Sequence, residues 1–285
     1  MRKKTLQELT IIDNFMFGAV MMIPENCKRF LELALGIEIS RVEVSKEKSI
    51  VYNPEYKGIR LDIYAKDENS THYNVEMQAV QKAELTRRSR YYHSQIDMEL
   101  LLSGISYKEL PDTYVIFICN FDPFGEEKYQ YTLRQMCEES QGIDVGDGAQ
   151  TIFFSTCGRN HTEVSKGLVA FLEYVRTPLV ECERDFEDDY VSQLQSSVKS
   201  IKVNREMGAR HMIFQEMLAD EREEGRIEGK LSARIEDILE FLESLGTVSQ
   251  ELKVRIQKEK DMETLKRWNK LAAKVESINE FQEKM

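Results

Sequence analysis

With 285 residues and a hydrophobic fraction of 41%, the chain can bury the core of one large domain, or of one domain with an appendage. No apolar run approaches the ~20 residues that a membrane-spanning helix needs, and the basic N-terminus lacks the apolar core of a signal peptide. The net charge of −11 argues against a protein that simply coats DNA, because such proteins are usually basic.

Cysteine and histidine usage argues against zinc sites and disulfides. The five cysteines are odd in number, widely spaced and without a Cys-x-x-Cys pair. The four histidines include no His-x-x-x-His pair. This usage indicates a reducing compartment, and we expect a cytoplasmic protein without membrane contact.

The N-terminal residues predict helices followed by a strand. Residues 8–36 look helical, with Asp13 just before an apolar stretch, Pro24 as an interruption and Gly36 at the end. Residues 41–51 alternate between polar and apolar side chains, a pattern typical of a strand or of one arm of a hairpin.

The next stretch predicts a β-hairpin. Residues 59–65 (IRLDIYA) and 73–80 (YNVEMQAV) both alternate between apolar and polar side chains. The residues between them, 66–71, are rich in Asp, Glu, Asn and Ser, which favour turns. Asp62 falls on the polar face of the first strand, and Asn74, Glu76 and Gln78 share the polar face of the second.

The candidate catalytic residues are Asp62, Glu76 and Gln78. Thirteen residues separate Asp62 from Glu76, and Gln78 follows two residues later. If the register pairs the two acids, their carboxylates converge across strands about 5 Å apart, and a divalent cation would offset their repulsion. Hard oxygen ligands suit Mg²⁺. The alternative interpretation is a solvated charge on an exposed hairpin face.

A basic helix is predicted directly after the hairpin, over residues 83–103. At its start, over residues 82–92, the basic cluster comprises Lys82, Arg87, Arg88 and Arg90 against the single acid Glu84. Four positive charges less one leave a local charge of +3, which suits a nucleic-acid backbone. Tyr91 and Tyr92 could add hydroxyl or stacking contacts. The alternatives are a solvated helix face for the arginines and core positions for the tyrosines.

Two buried strands and a helix complete this part of the chain. Residues 113–120 form a continuous apolar run, typical of a central strand covered on both faces. Residues 151–156 predict another buried strand, and residues 163–175 predict a helix that ends before Pro178.

After about residue 180 the sequence contains no convincing strand and no proline, and it is dense in charged residues. We therefore expect a domain over residues 1–180 and a charged, all-helical extension over residues 181–285. Gly225 and Gly229 weaken the helical pattern and could mark a bend. The apolar stripes of the extension could pack on its own domain or on a second copy, so a homo-oligomer is one expectation.

Five segments of the chain resemble one family of nucleases. They are Asp13–Phe17, Lys57–Asp62, Val75–Gln78, Arg87–Tyr92 and Tyr114–Asn120. Together they are similar to the transposase-like branch of the PD-(D/E)xK nucleases, the Rpn family of recombination-promoting nucleases. The resemblance covers residues 8–180 and extends more loosely to the helical tail.

This resemblance implies a restriction-endonuclease-like α/β fold, with a central mixed sheet flanked by helices. It implies DNA cleavage that depends on Mg²⁺, for which Mn²⁺ can substitute, and a role in recombination or mobile elements. By position, Asp62 and Glu76 would bind the metal, and Gln78 would replace the motif lysine. Asp13 matches an acidic position that assists at the site, although aspartate is equally suited to cap a helix there.

Three functional hypotheses follow. The first is a Mg²⁺-dependent DNA endonuclease whose basic helix holds the phosphate backbone. The second is a catalytically weak or inactive nuclease fold that binds DNA or protein. The third is a toxin-like nuclease restrained by its helical tail or by another protein.

Overall fold

The computed structural model of the chain describes residues 3–50, 59–81, 83–143 and 145–285. The chain divides into two compact units, Met1–His211 and Met212–Met285. This division falls later than the change of composition near residue 180, which stays our predicted domain boundary.

Within the described residues, the first unit contains a six-stranded sheet in the order β1-β2-β3-β4-β6-β5. The strands are β1 (Val42–Ile50), β2 (Ile59–Asp67), β3 (His72–Gln78), β4 (Thr113–Cys119), β5 (Gln130–Leu133) and β6 (Ala149–Ser155). β3, β4 and β6 run parallel to one another, whereas β1, β2 and β5 pair antiparallel with their neighbours. The predicted central mixed sheet is therefore confirmed.

Helices precede, interrupt and follow the sheet. They are α1 (Asn14–Met21), α2 (Pro24–Leu35), α3 (Leu85–Leu100), α4 (Lys166–Arg176), α5 (Asp189–Val203), α6 (Arg205–Leu245), α7 (Gln250–Gln257), α8 (Met262–Ala272) and α9 (Ile278–Lys284). Pro24 occupies the first turn of α2, and Gly36 ends that helix in the left-handed conformation, as the sequence predicts.

The β2–β3 hairpin is held at its turn by Asp67. Its Oδ1 accepts hydrogen bonds from the backbone N–H groups of Asn69 and Thr71, both at 2.9 Å. Its Oδ2 accepts a hydrogen bond from the Tyr73 hydroxyl at 2.7 Å. An aspartate that binds backbone groups two and four residues ahead fixes the turn, and with it the register of the strands.

The two hairpin strands separate at their far ends. Their backbone pairing runs from Lys66↔His72 to Ile63↔Val75. Beyond that point β2 continues to pair with β1, and β3 continues to pair with β4. The side chains of the next residues, Asp62 and Glu76, therefore lie where the sheet opens.

α3 covers the sheet face on which Glu76 lies. Tyr92 and Ile96 of α3 belong to one buried apolar cluster with Phe117 of β4 and Phe153 of β6. The rings of Tyr92 and Phe117 stack with centroids 6.4 Å apart. Stacked aromatic rings bury large apolar areas, so this packing fixes α3 against the sheet.

The second unit is a helical bundle around its own core. Residues of α6, α7, α8 and α9 form a separate apolar cluster that includes Leu242, Leu265 and Trp268. Ser249 and Asp261 cap α7 and α8 by accepting backbone N–H groups, as expected. Helix α6 runs through Gly225 and Gly229 without a break. No helix of the described residues is long and apolar enough to cross a membrane.

Candidate active site

Asp62 and Glu76 face each other where β2 and β3 separate. The register that pairs Ile63 with Val75 places Asp62 opposite Glu76. The Asp62 backbone N–H donates to Glu76 Oε1 at 3.2 Å, and the Met77 N–H donates to Asp62 Oδ2 at 3.2 Å. Carboxylate oxygens thus bridge the strands where the backbone pairing has ended.

Glu76 is nearly inaccessible to solvent, with 1% exposure, whereas Asp62 is half-buried. Burial raises the pKa of Glu76, and the negative charge of Asp62 raises it further. The positive charge of Arg88 and the Asp62 N–H act in the opposite direction. A positive charge beside Glu76 therefore stabilises the ionised form of its carboxyl group.

Arg88 of α3 supplies positive charge to this site. Its Nη2 donates to Glu76 Oε2 at 2.8 Å, and its Nη1 donates to Gln78 Oε1 at 3.3 Å. Its Nε donates to the Tyr92 hydroxyl at 2.7 Å. The guanidinium also lies over the rings of Tyr92 and Phe117, at 5.2 and 5.8 Å from their centroids.

Asn74 is a further polar residue of this face that sequence reasoning gave no role. It is fully buried, and within the described residues neither its Nδ2 nor its Oδ1 has a hydrogen-bond partner. Its amide nevertheless lies close enough to Glu76 to lower the pKa of that carboxyl. Strand alternation places Asn74 on the same face as Glu76 and Gln78, so this pattern could have identified it as a residue of the site.

The residues of the predicted basic cluster point in different directions, and their role in DNA binding stays a prediction. Arg88 points inward to the carboxylates, whereas Arg87 and Arg90 are exposed. Arg87 forms an ion pair with Glu84 at 3.0 Å. Tyr91 is half-buried and packs against the apolar core. The reason is helical geometry, since consecutive residues point about 100° apart. Lys82 lies outside the described residues, as do Lys57 and Gly58.

Asp13 takes the N-cap position of α1 without capping it through its side chain. Its Oδ1 accepts from Lys4 Nζ at 2.7 Å, and its Oδ2 accepts from the Thr10 N–H at 2.9 Å. These contacts engage Asp13 at the start of α1 and link it to neither Asp62 nor Glu76. Its auxiliary role stays a prediction.

The donor set around Glu76 consists of two carboxylates and the amide oxygens of Gln78 and Asn74. In the described parts of the chain, no group of three or more His, Cys, Asp or Glu side chains is arranged to hold a metal ion. Mg²⁺ is commonly held by only one or two carboxylates, with water and phosphate completing its shell. The chemistry of the residues present therefore fits Mg²⁺, and the partnerless amide of Asn74 is consistent with a further polar ligand.

Comparison with known proteins finds a similar family. Residues 27–164 match the model of the PD-(D/E)XK nuclease family transposases. This segment of the chain is therefore similar to that family. The α/β sheet flanked by helices, with its helical C-terminal region, is consistent with a PD-(D/E)XK fold. No curated protein and no solved structure gave a match.

The matched segment contains the six strands of the sheet and α3. It therefore includes Asp62, Glu76, Gln78 and Arg88. Asp13 precedes the matched segment, and the C-terminal helices follow it. The match supports a nuclease-related or transposase-related function for this segment of the chain.

Proposed function

We propose that the protein is a Mg²⁺-dependent DNA endonuclease that hydrolyses phosphodiester bonds. The observation that carries this proposal is the pairing of the Asp62 and Glu76 carboxylates where β2 and β3 separate. Within a PD-(D/E)XK nuclease domain, such a pair is suited to hold a divalent cation. Mn²⁺, with similar oxygen preference, is expected to substitute.

In this proposal Asp62 and Glu76 bind the metal. A divalent cation held there supplies Lewis-acid stabilisation of negative charge on the phosphate. Gln78 lies beside Glu76 on β3, where its amide can orient water or hydrogen-bond the scissile phosphate. Arg88 supplies the positive charge that a neutral glutamine lacks.

The remaining predicted residues are proposed to act outside the carboxylate pair. Arg87 and Arg90 are exposed on α3 and can approach phosphate groups of DNA. Lys82 and Tyr91 are proposed to support the same contact. A role in recombination or mobile elements agrees with the transposase description of the family. The five free cysteines support the proposed cytoplasmic location.

The decisive experiment incubates the purified full chain with supercoiled plasmid, with Mg²⁺, with Mn²⁺ and with EDTA. We expect nicking only with a metal, and a loss of at least about a hundredfold in Asp62→Asn and Glu76→Gln, on the scale of lost transition-state charge stabilisation. Glu43→Gln is the matched control, because Glu43 is an exposed acid of the same sheet. Absence of nicking with either metal, or equal nicking by Asp62→Asn, would contradict the proposal.

A second candidate function is DNA binding without cleavage. It is favoured by the burial of Glu76 and by its ion pair with Arg88, which together leave the carboxylate already neutralised. Fluorescence anisotropy with labelled duplex DNA separates the two functions. Binding that is the same with EDTA and in Glu76→Gln, without plasmid nicking, would favour this second candidate.

A further inference from the structure

Both carboxylate oxygens of Glu76 already accept hydrogen bonds. Oε1 accepts from the Asp62 backbone N–H, and Oε2 accepts from Arg88 Nη2 at 2.8 Å. The first donor belongs to the strand and is fixed by the sheet. The second belongs to a long side chain that is 30% exposed, so it is the contact that can be exchanged.

A divalent cation and Arg88 would compete for Glu76. Two positive charges on one buried carboxylate repel each other, and this repulsion is strong where water is largely excluded. Asp62 adds a second negative charge, so the pair can attract either a guanidinium or a metal. A metal held by Oε2 would need the position beside this oxygen that Arg88 Nη2 occupies.

Arg88 has other partners that would keep it near the site after exchange. Its Nε donates to the Tyr92 hydroxyl, and its Cζ lies 5.2 Å from the centroid of the Tyr92 ring. Its Nη1 reaches Gln78, the residue beside the scissile phosphate in the proposed function. Loss of the Glu76 contact therefore frees Nη2, while the contacts with Tyr92 and Gln78 keep the side chain at the site.

We infer that Arg88 is a built-in counter-ion that the metal displaces from Glu76. This exchange sets the affinity of the site for divalent cations. When a metal is bound, and only then, Arg88 Nη2 becomes a free hydrogen-bond donor beside Gln78. Arg88 is thus a positioning residue that acts through Glu76. This inference rests on the proposed metal site.

The test measures Mn²⁺ binding to the full chain by electron paramagnetic resonance, without DNA. We expect Arg88→Met to lower the Mn²⁺ Kd by about tenfold or more, because it removes a unit charge a few ångström from the metal. Arg87→Met is the matched control. It removes the same charge from the adjacent residue, which is ion-paired with Glu84 away from the site, and should leave the Kd nearly unchanged.

A milder variant guards against misfolding of Arg88→Met. Arg88→Gln keeps a hydrogen-bond donor at this position but removes the positive charge, so the Mn²⁺ Kd should also fall. An unchanged or higher Kd in both Arg88→Met and Arg88→Gln would overturn the inference. Tighter binding in either, with Arg87→Met like wild type, supports it.

The same titrations separate failure of this inference from failure of the proposed function. Mn²⁺ binding by the wild type that is lost in Asp62→Asn supports the metal site, whatever Arg88→Met does. If neither wild type nor Arg88→Met binds Mn²⁺, the metal site itself is contradicted, and the exchange with it. Binding that appears only in Arg88→Met supports the exchange.

Discussion

Arg88 Nη2 lies 2.8 Å from Glu76 Oε2, and this ion pair joins α3 to an acid of β3 that is 1% exposed. Removal of one partner leaves the other charge in a low-dielectric environment. This pair therefore matters for folding as well as for the proposed chemistry, and the two contributions can be measured separately.

The first prediction concerns folding stability. Arg88→Met should lower the free energy of unfolding by about 1–3 kcal/mol, less than a fully buried pair would lose, because Glu76 can take up a proton. Urea denaturation followed by circular dichroism measures the change. The double variant Arg88→Met/Glu76→Gln should recover most of the loss. A single variant as stable as the wild type would contradict the prediction.

The second prediction is that a substitution of Asn74 raises folding stability. Its buried amide lacks a partner of full hydrogen-bond geometry among the described residues, and its proximity to Glu76 compensates only part of its desolvation. Asn74→Leu, which has a similar shape, should raise the stability of the metal-free protein by about 1 kcal/mol. The check is the urea midpoint measured in EDTA. A fall of that size would show that the amide is bonded in solution, for example through water.

Asp67 should control the geometry of the hairpin from its turn. Asp67→Ala removes the acceptors of two backbone N–H groups and of the Tyr73 hydroxyl, and should cost about 2–4 kcal/mol in the free energy of unfolding. Asp67→Asn keeps the Oδ1 acceptor and should cost clearly less. Equal losses in the two variants would show that the backbone contacts at Oδ1 contribute little.

The pH dependence of stability should have a component from His93. Its ring contacts the Thr113 and Thr151 hydroxyls at 2.8 and 3.1 Å, and burial lowers its pKa to about 4. In the unfolded chain the pKa is about 6.5, so the unfolded state binds more protons between these values. Stability from His93 is therefore present above about pH 6.5 and is lost as the pH falls toward 4.

His93→Asn is the variant that isolates this component. The difference in unfolding free energy between pH 7 and pH 4.5 should be about 1–3 kcal/mol smaller than in the wild type. Burial also lowers the pKa of His72 to about 4, so part of the acid sensitivity should remain in the variant. An unchanged pH profile would contradict the assignment to His93.

Much of the site followed from strand alternation. The turn residues and the two alternating segments predicted the hairpin, and the observed register brings Asp62 and Glu76 together as that pattern allows. The reason is that a strand has a side-chain period of two, so residue spacing fixes which side chains share a face. Their roles in metal binding and catalysis stay predictions.

The orientation of the basic residues could not be read from the sequence. Periodicity places Arg88 and Tyr92 on one helical face, but only the packing of α3 on Phe117 decides which face meets the sheet. The sequence made no prediction for β5, a four-residue edge strand too short for a recognisable pattern. The partnerless state of Asn74 likewise depends on three-dimensional neighbours.

The hydrogen bonds that join the separating strands give the site its own spectroscopic reporters. The amide protons of Asp62 and Met77 each point at a carboxylate oxygen of the opposite acid. Their nitrogen and proton chemical shifts should therefore respond when Mg²⁺, a proton or a substitution alters that acid. Two backbone signals in an NMR spectrum of nitrogen-15-labelled protein would then follow events at both carboxylates, without DNA or turnover.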